Sequence, residues 1–98
     1  MNTTLKELKT MMNQIITTSE NIDTDYHVQF RKHRDHHEEI SFHISVCFFF
    51  IENEKESSTT VFLWDSNSLE ENKTLLKIVL EAIENKISIP ELRAKLRE

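Results

Sequence analysis

The sequence predicts an α+β fold of element order α-β-β-β-α-α, a three-stranded antiparallel meander with helices packed on one face, in a single domain spanning residues 1–98. Three observations predict it. Apolar residues recur at steps of three and four towards both ends of the chain, and at steps of two in its middle. The polar stretches between the alternating runs are too short for a parallel crossover, which needs about a dozen residues or more.

The first helix is written in Leu5, Leu8, Met11, Met12, Ile15 and Ile16, one apolar stripe on a 3.6-residue period. Thr4, with Glu7 three residues on, supplies a capping-box start. The polar run Thr17 to Asp25 is the longest connection. Tyr26, Val28 and Phe30 then alternate with His27, Gln29 and Arg31, the pattern of a half-buried strand. From Ile40 to Phe50 every even position is apolar, which marks the central strand. A third run, Ser58 to Trp64, is β-branched or aromatic, and Asp65-Ser66-Asn67 turns it towards the second helix.

That helix starts on Ser68 with Glu71 and carries Leu76, Val79, Leu80, Ile83 and Ile87; the last starts on Ser88 with Glu91 and carries Leu92 and Leu96. Pro90 belongs in the first turn of the last helix, where its missing N–H leaves no bond unmade, so a sharp joint is expected near Lys86 to Pro90.

A slip of one residue would turn every side chain of a strand to the other face, so the even apolar positions of the first two strands must pair with each other. The first hairpin loop therefore has an odd number of residues. A loop of Arg34, Asp35 and His36 sets Phe30 opposite Ile40, Val28 opposite Phe42, Tyr26 opposite Ile44 and, on the reverse face, His27 opposite His43. That reverse face is polar at Gln29, Arg31, Ser41, His43 and Ser45, then apolar at Cys47, Phe49 and Ile51. The third strand adds either Val61 with Leu63 or Phe62 with Trp64. Taken with the first pair, the expected interface is Cys47, Phe49, Ile51, Val61 and Leu63. A contiguous apolar patch left in water marks an interaction surface; the competing expectation is that Leu92, Ala94 and Leu96 of the last helix fold back over it.

With no glycine among its residues, the chain lacks the phosphate-cradling loops, the dinucleotide turn and the nucleophile elbow that need a residue without Cβ. A lone cysteine, Cys47, excludes an intrachain disulfide and fits a reducing, cytoplasmic setting. The start of the chain lacks the basic and apolar regions of a secretion signal, and no apolar run reaches the length of a membrane span. Cys47 and His43, the one nucleophile–base pair, would lie roughly 13 Å apart along a strand, so no enzymatic activity and no cofactor are expected.

All five histidines fall in the first hairpin region, at positions 27, 33, 36, 37 and 43. His33, His36 and His37 are the candidate metal ligands, since zinc or nickel needs three or four converging donors; the interleaved Arg31, Lys32 and Arg34 oppose a dication. The same histidines could instead make a contact that strengthens as pH falls through about 6.5. A net charge of −5 opposes direct nucleic-acid binding, which needs a basic face. Glu52, Glu54, Glu56, Glu70 and Glu71 form the expected acidic surface, suited to mimicry of nucleic-acid phosphates.

The α-β-β-β-α order resembles that of the double-stranded RNA-binding domain, which grips phosphates with basic residues at the start of its second helix. Here that stretch reads Ser68-Leu69-Glu70-Glu71-Asn72-Lys73, of the opposite charge, so that function is not carried over. Order, small size and acidity are also similar to those of small acidic anti-CRISPR proteins of phage, which block a nuclease by occupying its nucleic-acid site. The resemblance implies an acidic nucleic-acid mimic. An Asn-, Lys-, Ile- and Glu-rich composition suits an AT-rich bacterial or phage genome. The leading expectation is a non-enzymatic protein-interaction module, an inhibitor or adaptor of the mobile-element type on a larger protein, homodimeric through the sheet's second face. The nucleic-acid mimic and a metal- or pH-responsive regulator built on the histidines are the alternatives.

Overall fold

A computed structural model describes residues 2–20, 22, 25–34 and 37–97, with the side chain of residue 52 outside that set. Its elements are α1 (Leu5–Ser19), β1 (Tyr26–Arg34), β2 (Ile40–Glu52), β3 (Lys55–Trp64), α2 (Leu69–Ile83) and α3 (Ile89–Leu96). The three strands form one antiparallel sheet in the order β1-β2-β3. This is the predicted α+β meander.

Each helix begins at the expected serine or threonine. At Thr4 the box is reciprocal: its hydroxyl accepts from the Glu7 N–H and the Glu7 carboxylate accepts from the Thr4 N–H. That backbone N–H is the main reason the Glu7 carboxyl is held below the usual carboxylate range. Ser68 and Ser88 accept from the Glu71 and Glu91 N–H groups, and Pro90 occupies the first turn of α3. With no glycine to end α2, Asn85 takes the left-handed conformation at φ 60°. The Lys86 N–H then reaches the Glu81 carbonyl and the Asn85 N–H reaches that of Ala82, the paired bonds of a Schellman stop.

The register keeps the predicted parity and changes the predicted loop. Tyr26 stands opposite Phe48, Val28 opposite Val46, Phe30 opposite Ile44 and Arg34 opposite Ile40, so five residues of sequence separate the paired strand ends where three were expected. The longer loop lets all nine residues of β1 pair and sets the Tyr26 ring 6.2 Å from that of Phe48. Phe48 is thereby sealed within the core. The second hairpin is tighter than expected: Glu52 pairs with Lys55 across Asn53 and Glu54, at φ 52° and 64°, the positive values of a two-residue type I′ turn. The third strand accordingly begins at Lys55 instead of Ser58.

All three helices lie on the even-numbered face of β2. Ile44, Val46 and Phe48 are buried there with Val61 and Leu63 of β3, against Leu8, Met11 and Ile15 of α1, Leu76, Val79 and Ile83 of α2 and Leu92 of α3. Arg93 of α3 stacks over Phe50 on the same side, its guanidinium carbon 5.5 Å from the ring centre. The last helix therefore packs into the core and does not fold back over the reverse face.

At the hairpin end where β3 stops, residues from distant parts of the chain form a polar clasp. Buried Asn72 donates through Nδ2 to the Thr3 hydroxyl at 2.9 Å and to the Trp64 carbonyl at 2.8 Å, and accepts from Asn67 at 3.1 Å. Thr3 donates to the Asn67 carbonyl, while the Asn2 and Thr3 N–H groups bond the Asp65 carbonyl. Asp65 closes the end of the sheet by accepting from the Phe42 N–H through its carboxylate and donating its own N–H to the Phe42 carbonyl.

Candidate functional site

The reverse face of the sheet is built from odd positions of β1 and β2 and even positions of β3. Pairing of His43 with Trp64, Ser45 with Phe62, Cys47 with Thr60, Phe49 with Ser58 and Ile51 with Glu56 fixes that assignment. It corrects the expected interface: Val61 and Leu63 belong to the core, because the two-residue turn puts odd positions of β3 under the helices. Phe62 and Trp64 take their places on the reverse face.

Among the described residues no helix covers this face. Phe49 is 50% exposed, Ile51 77% and Phe62 43%, with half-buried Cys47 beside them. Exposed bulky apolar side chains gathered on one sheet face have no stabilising role in an isolated chain. Near Phe49 and Ile51 the surface is indented, and Asp25, Phe50 and Glu56 join them in lining a cleft.

The other end of the face holds an aromatic and imidazole cluster. His43 is only 6% exposed although no helix lies over it, because its neighbours on the adjoining strands enclose it. Its ring centre lies 4.3 Å from Trp64, 5.6 Å from Phe62 and 5.2 Å from His33, and His33 also meets Trp64 at 5.3 Å. His43 Nδ1 and His33 Nε2 face each other at 3.4 Å, and the Ser41 hydroxyl lies 3.1 Å from the same His33 nitrogen. Burial, then the positive charges of His33 and Arg31, hold the His43 imidazole below its ordinary pKa, with Asp65 pulling the other way. Arg31 is its cross-strand partner. The pair arises from the register: His43 lies diagonal to His33 once the loop has five residues, whereas the three-residue loop would have set His27 opposite it.

Two of the three candidate metal ligands, His33 and His37, lie among the described residues. His33 is turned onto the sheet face and engaged by Ser41 and His43, His37 lies exposed in the connecting loop, and His36 lies outside the described residues. Among the described residues no three His, Cys, Asp or Glu side chains are grouped as a metal would require. Cys47 and His43 share a face but are separated along β2 by the Ser45 row. The acidic surface is divided: Glu54 lies in the β2–β3 turn and Glu56 near the start of β3, while Glu70 and Glu71 open α2, which follows the far end of β3. The side chain of Glu52 lies outside the described residues.

Sequence reasoning missed Asn72, read only as part of an acidic helix start, and left Phe62 and Trp64 as one of two choices. No described helix is long and apolar enough to cross a membrane. Comparison with known protein families, curated proteins and solved structures finds no match.

Proposed function

We propose that this chain is a non-enzymatic protein-interaction module that pairs with a second copy of itself through the uncovered sheet face, and that serves as an inhibitor or adaptor when a larger protein takes the same face. The observation that carries this reading is the exposure of Phe49, Ile51 and Phe62 together on a face that none of the described helices covers. Charge supports a second copy as the occupant. The aromatic end of the face carries Arg31 beside the histidines, and the other end carries Asp25 and Glu56. A second sheet laid antiparallel, about 10 Å away, brings the Arg31 end of one copy against the Asp25 and Glu56 end of the other and sets Phe49 and Ile51 against the partner copy's aromatic end.

Sedimentation velocity across a concentration series at neutral pH tests the reading. The wild type is expected to approach twice the chain mass, and Phe49→Glu and Ile51→Glu to sediment as monomers with unchanged far-ultraviolet circular dichroism. A wild type that stays monomeric at the highest concentration overturns the pairing.

A further inference from the structure

We infer that the His33–His43 pair is a proton-operated latch on the open sheet face, closed while the two imidazoles share at most one proton and opened when both are protonated. The inference rests on the pairing proposed above and adds how it is regulated.

The geometry carries it. Two imidazole nitrogens facing each other at 3.4 Å admit one N–H between them, donated by one ring and accepted by the other. A second proton puts an N–H on each of the facing nitrogens, and the His43 Nδ1–H is then aimed at a second imidazolium instead of an acceptor, so two imidazolium rings cannot keep this arrangement. Ser41, whose hydroxyl already lies 3.1 Å from His33 Nε2, can accept the His33 proton where the ring stands, which leaves the His43 N–H as the one without an acceptor.

The surroundings add to the pressure to open. From β1 the charged or titratable groups facing His43 are His33 and Arg31; from the turn after β3 it is Asp65, whose carboxylate accepts from the Phe42 N–H; β3 contributes the uncharged Trp64 and Phe62. Burial and the two like charges lower the His43 pKa. A base whose folded pKa is depressed adds stability above its unfolded pKa and loses it as pH falls through the folded value. The closed latch is therefore the neutral-pH state.

Opening cannot stay local. His43 is packed on Trp64 and Phe62, which form the aromatic part of the proposed contact surface, so a ring that leaves the cluster releases both. The pairing should weaken on acidification, the reverse of the stronger contact at low pH considered from the sequence.

Trp64 is the chain's one tryptophan, so its emission reads the latch directly. The test follows Trp64 fluorescence and sedimentation together from about pH 8 to about pH 5, the range in which imidazoles titrate. An emission change with its midpoint below the ordinary histidine value is expected, with dimer affinity about tenfold weaker at the acid end, the effect of one pKa unit of coupling. His33→Gln keeps a hydrogen-bonding group and removes one titrating ring; the dimer should then persist in acid. A flat wild-type emission profile overturns the latch even if that variant fails to fold. A dimer that persists unchanged in acid overturns the coupling alone. A chain already monomeric at pH 8 overturns the pairing and the coupling with it.

Discussion

Replacing Asn72 by aspartate keeps the side-chain volume and changes one group, the amide nitrogen that donates to the Thr3 hydroxyl and the Trp64 carbonyl. A carboxylate can still accept from Asn67 but can donate to neither oxygen. The orientation of the amide is fixed by its partners, since the Trp64 carbonyl can only accept. Each lost bond is worth about 0.5–1.5 kcal/mol, and the buried oxygens left facing a carboxylate add a desolvation and repulsion cost, so about 2–4 kcal/mol is expected in all. For a domain of this size that lowers the melting temperature by about 10–25 °C. Thermal and urea unfolding followed by circular dichroism measure it. At acid pH part of the loss should return, because a protonated carboxyl again donates one bond. Stability within about 0.5 kcal/mol of the wild type, the range of an ordinary surface substitution, would refute the clasp as described.

Four further substitutions probe the fold. Thr59 Oγ1 is buried without a hydrogen-bond partner, so Thr59→Val, nearly isosteric, should raise stability by about 1 kcal/mol in urea unfolding. Glu54 holds φ 64° in the second hairpin turn; Glu54→Gly relieves a Cβ clash and should add about 0.5–1 kcal/mol, read as a higher unfolding midpoint. Leu63→Glu places a charge in the core and should abolish the folded circular dichroism spectrum, whereas Phe62→Glu, one residue away on the open face, should leave it intact; the reverse ranking would invert the β3 assignment.

The helices were legible because each is specified locally: stripe, cap and stop lie within one segment. The pairing parity of β1 and β2 was legible too, since one uninterrupted even-numbered apolar set has one way to face a core. The first loop's length was not, because loops of three and five residues preserve the same parity; the choice depends on Tyr26 reaching Phe48, a contact between distant positions. In β3 the run Val61-Phe62-Leu63-Trp64 is apolar on both faces, so alternation says nothing. The turn at Asn53 and Glu54 decides it, and Asn-Glu is not a sequence signal for that turn. The His33–His43 contact inherited the loop-length error. Asn72 resembles any polar residue in a surface helix until Thr3 is brought to it across a sequence separation of 69.

That separation also bears on kinetics. The sheet forms from neighbouring strands joined by short turns, so its contacts close small loops, while the bonds from Asn2 and Thr3 to Asp65, Ser66, Asn67 and Asn72 must close nearly two thirds of the chain at a higher entropic cost. The clasp is thus the natural last step of folding and the first to release. Substitutions in it should act on the unfolding rate and leave the folding rate almost untouched. The lifetime of the native state is then set by a few polar groups at one end of the molecule, away from the apolar core that supplies most of its stability.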